Sequence, residues 1–221
     1  MRFRLWQADT YAVSSRFAAC CRYGFINDYA WLAGLSTITG GAGADQLTGG
    51  AGDDDFVYTA FAQGGNVVAG NDAATDLTAG DIITDFATTA DEIDISAVAS
   101  GTAAVVGGGG GDTFDSATDG VGIVTVDYDF SAASKAGDVI DAIIAGFNTS
   151  VTIDDGDTAY FAILDEDGGT AANDFYNIFA ITNGSGGDLA GADLKDADVD
   201  VTLVASTAAG DVVVGGDFIL A

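Results

Sequence analysis

Residues 40–57 read GGAGADQLT followed directly by GGAGDDDFV, two nine-residue units in tandem. Both fit the pattern G-G-x-G-x-D-x-U-x, in which U is a large apolar residue. The glycines allow a tight turn with positive φ and leave carbonyl oxygens exposed, and the aspartate adds a carboxylate. Leu47 and Phe56 occupy the apolar position. Each unit therefore predicts a turn followed by a short strand whose apolar side chain points inward.

Two such units make one coil of a parallel β-roll, so equivalent aspartates should recur 18 residues apart. Eighteen residues beyond Asp54 lies Asp72, and nine residues further lies Asp81, with Ile83 at the inward position. Counting back by the same distance from Asp54 leads to Ser36, with an apolar residue again two positions later. The spacing predicts a short roll that is imperfect at its rim.

The turns of this roll offer the ligands that calcium prefers. Calcium is bound in proteins by oxygen atoms, chiefly those of carboxylates and backbone carbonyls. The predicted carboxylate ligands are Asp45, Asp54, Asp72 and Asp81, and the predicted carbonyl ligands are those of Gly41, Gly43, Gly50 and Gly52.

The composition also favours oxygen ligation. Of the 34 acidic residues in this chain of 221, 32 are Asp and only Glu92 and Glu166 are Glu, and there are 32 Gly. Glutamate would supply the same charge, so the preference for aspartate indicates short carboxylates held close to backbone turns. Acidic adaptation to salt is the alternative explanation of the charge.

The same counts exclude several classes of function. The chain has no His, which excludes Ser-His and Cys-His catalytic pairs and every His-ligated metal. A net charge of −28 opposes binding to nucleic acid and to anionic lipid. No apolar run approaches the roughly 18 residues that span a bilayer. Cys20 and Cys21 are adjacent, so no disulfide framework is expected.

The segment after the two units resembles the end of the roll in RTX proteins, which are calcium-binding bacterial proteins exported by type I secretion. Residues 81–86 read DIITDF and residues 91–96 read DEIDIS, similar to the D-x-I-x-D-F…D-x-I-D-[LI]-S segment of secreted RTX enzymes. The resemblance implies that Asp81, Asp85, Asp91 and Asp94 help to bind calcium and to cap the roll. It brings no catalytic residues with it, so no enzymatic activity is expected.

The last residues extend the resemblance. Residues 216–221 read GDFILA, an acidic residue followed by several apolar ones, which is similar to the C-terminal export signal of type I substrates. An ordinary edge strand is the alternative. The first residues, MRFRLWQAD, lack the apolar stretch of a secretory leader. The resemblance thus implies recognition by type I secretion machinery and an extracellular or cell-surface location.

Charge divides the chain into unlike parts. Residues 1–39 hold four Arg and two Asp, a net charge of +2, whereas residues 40–221 hold two Lys and 32 acidic residues, a net charge of −30. We expect an aromatic, basic N-terminal arm over 1–39, the roll and its capping segment over 40–106, and a β-rich domain over 107–221. The arm is predicted to dock on the acidic body of another copy, giving a homo-oligomer or polymer. A misassigned start over residues 1–30 is the alternative.

The fold class predicted is therefore mainly all-β, a short parallel β-roll of calcium-binding repeats followed by a β-rich domain with one helix. The helix is expected over 134–147, where Ile140, Ile143, Ile144 and Phe147 follow a helical spacing. The aspartates at 154–157 and 165–167 are predicted to lie in solvated turns, with further calcium sites as the alternative. Strands are expected over 122–130, 158–164, 175–182, 199–204 and 211–214.

These observations predict a secreted calcium-binding structural protein, a self-assembling subunit of an extracellular surface layer, filament or matrix. A non-catalytic calcium-binding and secretion tail of a larger secreted enzyme or adhesin is the first alternative. A monomeric calcium- or glycan-binding module is the second.

Overall fold

The computed structural model describes residues 18–20 and 34–221, with gaps at 62, 70–74, 107–112, 126–127, 129, 131–134, 148–149, 166–174, 192–193, 195–198, 209 and 211–212. The described residues are mostly β, with one α-helix. The elements are β1 (Ala18–Cys20), β2 (Thr37–Thr39), β3 (Gln46–Leu47), β4 (Asp55–Val57), β5 (Val67–Ala69), β6 (Asp81–Ile83), β7 (Glu92–Asp94), β8 (Thr102–Val106), β9 (Phe114–Asp115), β10 (Asp119–Val124), α1 (Ala136–Gly146), β11 (Val151–Ile153), β12 (Thr158–Asp165), β13 (Phe175–Asn183), β14 (Leu189–Ala190), β15 (Val199–Thr207) and β16 (Phe218–Ile219), and a 3-10 helix over Gly215–Asp217 precedes β16.

A five-stranded sheet runs in the order β1-β2-β4-β7-β16, and every neighbouring pair in it is parallel. Ile38 lies opposite Phe56, Phe56 opposite Ile93, and Ile93 opposite Phe218. All four side chains are buried. One apolar residue per strand therefore forms a continuous column on the inner face of this sheet, as the apolar position of the repeat predicts.

An eight-stranded sheet faces it, in the order β3-β6-β15-β13-β12-β10-β8, with β5 paired to β15. The strands β3, β6 and β15 are parallel to one another, β15, β13 and β12 are antiparallel, and β12, β10 and β8 are again parallel. A third, three-stranded sheet consists of β14, β11 and β9. Strands from both sides of residue 107 thus share one sheet.

The core lies on both faces of the eight-stranded sheet. In β12, Phe161 and Ile163 face the helix side of the sheet. There they pack with Ile140 of α1 and with Phe147, the residue directly after α1. Tyr160 belongs to the opposite cluster, which contains the inner residues of the five-stranded sheet. Because both faces of β12 are covered, its apolar residues run almost continuously instead of alternating with polar ones.

The expected helix is confirmed, since α1 begins at Ala136 and ends at Gly146. The backbone N–H of Lys135 donates a hydrogen bond of 2.7 Å to the Asp138 carboxylate, which satisfies a donor at the helix start. The strands expected at 158–164, 175–182 and 199–204 are confirmed as β12, β13 and the first part of β15.

Two of the other expectations change. The strand expected over 122–130 begins and ends earlier, at Asp119 and Val124. Of the strand expected over 211–214, only Val213 and Val214 are described, and neither is in a strand.

Residues 37–94 alternate between the two larger sheets: β2, β4 and β7 lie in the five-stranded sheet, and β3 and β6 in the eight-stranded one. The first step follows the expected period, because Thr37 lies opposite Asp55, 18 residues later. The next step does not. Gln46 lies opposite Ile82, 36 residues later, and Asp55 lies opposite Glu92, 37 residues later.

The expected 18-residue step from Asp54 to Asp72 stays a prediction, and the described residues between 58 and 80 do not continue the alternation. Within this segment β5 pairs antiparallel with β15. Asn66 and Thr78 are hydrogen-bonded to each other within this segment: the backbone N–H of each donates to the side chain of the other, at 2.8 and 2.5 Å. Gly64 packs so closely on β15 that a Cβ atom there would lie 2.2 Å from the Val204 carbonyl oxygen. Asp72 itself lies outside the described residues.

Candidate metal centre

The two repeat turns lie at opposite ends of β3, and each connects β3 to a strand of the five-stranded sheet. We call these two ends the first and the second edge. The 40–45 turn joins β2 to β3, and the 49–54 turn joins β3 to β4. All four glycines predicted as carbonyl ligands have positive φ, which residues with a side chain rarely adopt. The angles are 102° at Gly41, 97° at Gly43, 100° at Gly50 and 135° at Gly52.

Asp45 and Asp81 lie side by side at the first edge, which we call the Asp45–Asp81 pair. The parallel pairing of β3 with β6 brings them together across 36 residues of chain. The backbone N–H of Asp45 donates a hydrogen bond of 2.9 Å to Oδ1 of Asp81. Asp45 is 9% exposed and Asp81 is fully buried.

Asp54 and Asp91 form the matching Asp54–Asp91 pair at the second edge. The backbone N–H of Asp54 donates to Oδ1 of Asp91 at 3.0 Å, and Oδ1 of Asp54 in turn accepts from the backbone N–H of Ser36 at 2.9 Å. Both carboxylates are buried. At each edge, therefore, the carboxylate of one turn is held by the backbone of the turn before it.

One carboxylate oxygen in each pair is left without a partner. Oδ2 of Asp54 and Oδ2 of Asp81 are buried, and no donor in the described residues lies at ordinary hydrogen-bond distance from them. The buried hydroxyl of Tyr58 also has no partner at that distance, but it is close enough to the Asp81 carboxylate to lower the pKa of Asp81. The first glycine of each repeat lies directly beside the two Oδ2 atoms. A Cβ atom on Gly40 would lie 2.7 Å from Oδ2 of Asp81, and one on Gly49 would lie 2.6 Å from Oδ2 of Asp54.

Buried anionic oxygens with unused lone pairs are costly unless a cation or a proton compensates them. Calcium accepts ligands of this kind, with backbone carbonyls to complete its shell. The unpartnered carboxylate oxygens at both edges are therefore of the chemical kind that calcium binds.

Burial raises the pKa values of three of these carboxyl groups. Burial, together with repulsion from Asp45, raises the pKa of Asp81 from 3.8 to about 7, although the hydrogen bond from the Asp45 backbone and the interaction with the Tyr58 hydroxyl oppose the rise. Burial also raises the pKa of Asp45. Burial raises the pKa of Asp91, and the carboxylates of Asp54 and Asp85 add to the increase. The ionised forms of these carboxyl groups are therefore disfavoured in the folded chain.

Basic side chains do not supply that charge in the described part of the chain. Lys135 is the one basic residue there, and it pairs with Asp76. Within the same residues, no three carboxylate or thiol side chains converge on a common point. Metal binding at the edges would therefore depend on pairs of carboxylates together with backbone oxygens.

Two of the residues implied by the RTX resemblance have other contacts. Asp85 accepts from the backbone N–H groups of Gly49 and Gly50, at 2.9 and 2.8 Å, one with each oxygen. Asp94 accepts from both the backbone N–H and the hydroxyl of Ser96, at 2.9 and 2.6 Å. Asp85 therefore holds the start of the 49–54 turn by its backbone, and Asp94 holds Ser96 directly after β7.

Sequence reasoning missed two residues near these pairs. Tyr58, directly after β4, is buried, and its pKa is raised well above its usual value by burial and by the carboxylates of Asp81 and Asp45. Asp217, directly before β16, is 2% exposed and hydrogen-bonds to residues 88 and 89. The order Gly-Asp-Phe at 216–218 resembles the Asp-Asp-Phe at 54–56 and could have indicated this position.

The other aspartate-rich turn described, residues 154–157, connects β11 to β12. The hydroxyl of Ser116 donates to Asp157 at 2.9 Å and accepts from the backbone N–H of Asp154 at 2.8 Å. Asp155 is exposed. These contacts are those of a hydrogen-bonded surface turn, as the sequence predicts.

The whole chain was compared with known protein families and with curated protein sequences. Neither a protein-family model nor a curated protein sequence matches it. No helix in the described residues is long and apolar enough to cross a membrane.

Proposed function

We propose that this chain is a secreted calcium-binding structural protein of the RTX type, in which residues 34–95 form a short β-roll that calcium completes. The observation that carries the proposal is the arrangement of the two aspartate pairs. Each pair is buried at a turn between sheets, and each contains a carboxylate oxygen without a partner among the described residues.

Bound calcium would supply the positive charge that these carboxylates lack. Asp45 and Asp81 would hold one ion and Asp54 and Asp91 another, with carbonyls of the neighbouring glycine turns as further ligands. The hydrogen bond from Asp45 orients Oδ1 of Asp81, and the hydrogen bond from Ser36 orients Oδ1 of Asp54, which leaves Oδ2 of each of these two carboxylates for the cation. The first glycine of each repeat has no side chain, so the backbone can pass close to that oxygen.

Calcium binding at these turns would fit an extracellular role. Extracellular calcium sites commonly bind at about 10⁻⁴ to 10⁻³ M, concentrations that the cytosol does not reach. A chain with a net charge of −28 repels itself when no cation is bound. Before export the pairs would remain without calcium and the roll would be loose, and after export calcium would close it.

The structural role is supported by charge. The acidic body carries a net charge of −30 and the first 39 residues carry +2, so one copy offers the next an oppositely charged segment. Calcium would also lower the repulsion between neighbouring acidic bodies. A surface layer, filament or matrix built of such copies would assemble only where calcium is present. The alternative, a monomeric calcium-binding module or tail, shares the calcium sites and lacks the assembly.

The test has two parts, binding and assembly. Isothermal titration of the EGTA-treated protein with calcium should show binding that Asp54→Asn weakens strongly and Asp53→Asn leaves unchanged, because Asp53 is exposed beside the buried Asp54. Equal effects of both variants would show that diffuse charge, not ligation, governs binding. Light scattering and electron microscopy should show particles in calcium that EGTA disperses. Calcium binding without any particles would favour the monomeric module.

A further inference from the structure

Thr89 adopts an unusual backbone conformation in the 85–91 turn. Its φ is 73°, and among the described residues it is the one non-glycine with a positive φ. A β-branched residue is a marked outlier in this left-handed region, where non-glycine residues are strained. Because Phe56 lies opposite Ile93, Thr89 occupies the position of Gly52 in the preceding turn. A glycine position of the repeat has thus been filled by threonine.

The strained turn is held by a residue far away in the sequence. Oδ1 of Asp217 accepts from the backbone N–H of Thr89 at 3.2 Å, and its two oxygens accept from the Thr88 hydroxyl at 3.1 and 2.9 Å. Oδ2 also accepts from the backbone N–H of Val214 at 2.8 Å. Asp217 is 2% exposed, and β16 next to it pairs with β7. Its carboxylate is therefore hydrogen-bonded to the 85–91 turn on one side and to the backbone of Val214 on the other.

The same turn carries the carboxylates that reach the 49–54 turn. The backbone N–H groups of Ala90 and Asp91 donate to the carbonyl of Ala87, at 3.0 and 2.8 Å, and Oδ2 of Asp91 accepts from the Ala87 N–H at 2.8 Å. This closed turn contains Thr89 and directs the other oxygen of Asp91 toward Asp54. The conformation of Thr89 therefore sets the position of Asp91.

From these contacts we infer that Asp217 is a positioning residue for the calcium site at the Asp54–Asp91 pair: it holds Thr89 in the left-handed conformation that places Asp91. The inference rests on the proposed function, since it assigns a role at the same site. It makes the C-terminal strand and the calcium turn one unit, so that docking of residues 217–219 and calcium binding at this edge favour each other.

The experiment is a cycle of Asp217→Asn, Thr89→Gly and the double variant, with Asp53→Asn as the exposed control. Glycine adopts positive φ without strain, so it should make the hold by Asp217 dispensable. By calcium titration, Asp217→Asn should weaken binding about tenfold, within the effect of one strained non-glycine residue. Thr89→Gly alone should stay within about twofold of the natural chain, and the double variant should recover to the same range.

A loss that Thr89→Gly fails to restore, or no loss at all, would overturn the inference. Thermal unfolding in EGTA separates this inference from the proposed function. There Asp217→Asn should lower the midpoint by about 4 °C and the double variant should restore it. If the natural chain binds no calcium, the proposed function fails, whereas this calcium-free rescue still supports the positioning role and its absence still refutes it.

Discussion

Replacing Asp81 by Asn should stabilise the calcium-free protein and reduce its response to calcium. The Asp81 side chain is fully buried, lies beside Asp45 and has an oxygen without a hydrogen-bond partner in the described structure. An asparagine keeps the shape, and its Oδ1 can still accept from the Asp45 backbone. It carries no charge, so it removes the repulsion and the cost of burying an anion.

The size of the effect follows from the pKa of Asp81. Its rise from 3.8 to about 7 corresponds to a penalty of about 4 kcal/mol for the ionised folded state at neutral pH. Removing the whole penalty would raise the unfolding midpoint by about 8 to 16 °C in a chain of this size. At 10 mM calcium and a dissociation constant of about 10⁻⁴ to 10⁻³ M, binding at this edge stabilises the natural chain by about 1 to 3 kcal/mol.

The assay is thermal unfolding of both proteins at pH 7.5, followed by circular dichroism, in EGTA and in 10 mM calcium. The Asp81→Asn variant should unfold at the higher temperature in EGTA, and the gap to the natural chain should narrow in calcium. Asp53→Asn, an exposed charge removal in the adjacent turn, should behave like the natural chain in both buffers. A variant that is less stable in EGTA, or a gap that calcium leaves unchanged, would refute the reasoning.

Three further predictions also concern the stability of the folded chain, the first two measured by thermal unfolding. In EGTA the natural chain should become more stable as the pH falls from about 7 toward 4, because folded Asp81 then takes up a proton that the unfolded chain does not yet bind; Asp81→Asn should flatten this slope. Gly49→Ala should cost about 1 to 3 kcal/mol of unfolding free energy, since its Cβ would lie 2.6 Å from Oδ2 of Asp54, whereas Gly216→Ala, with nothing within 4 Å, should be neutral. Phe56→Ala should cost about 3 to 5 kcal/mol, measured by denaturant unfolding, because Phe56 is fully buried between β2 and β7.

The local parts of the candidate site could be predicted from sequence. The tandem repeat places glycines where φ is positive and puts Leu47 and Phe56 in the core, because each of these features depends on a few neighbouring residues. The same holds for α1, whose apolar spacing is local. Contacts that depend on distant chain could not be predicted in this way. Nothing near residue 89 indicates that Asp217 will compensate for a threonine at a glycine position.

The length of the 58–80 segment fits the repeat period, although its strand β5 does not pair with a strand of the repeats. The separation between β3 and β6 is 36 residues and that between β2 and β4 is 18, so the additional length is 36 − 18 = 18 residues, again the length of one coil. Counting by nines from Asp54 therefore reaches Asp81, although β5 within this length pairs with β15 instead of with a strand of the repeats.

Packing separates β5 from the strands of the repeats. Leu47 and Ile83 lie in the core between the two larger sheets, whereas Val68 of β5 is buried in the other core, beneath α1. The buried residues of that second core come from positions 114–201 apart from Val68, which joins it because β5 pairs with β15. In the nine-residue register residue 68 falls on a glycine position, and the inward positions are Gly65 and Ala74, which are small. The repeat pattern is therefore weak in this segment, and β5 pairs with β15, more than 120 residues later in the chain.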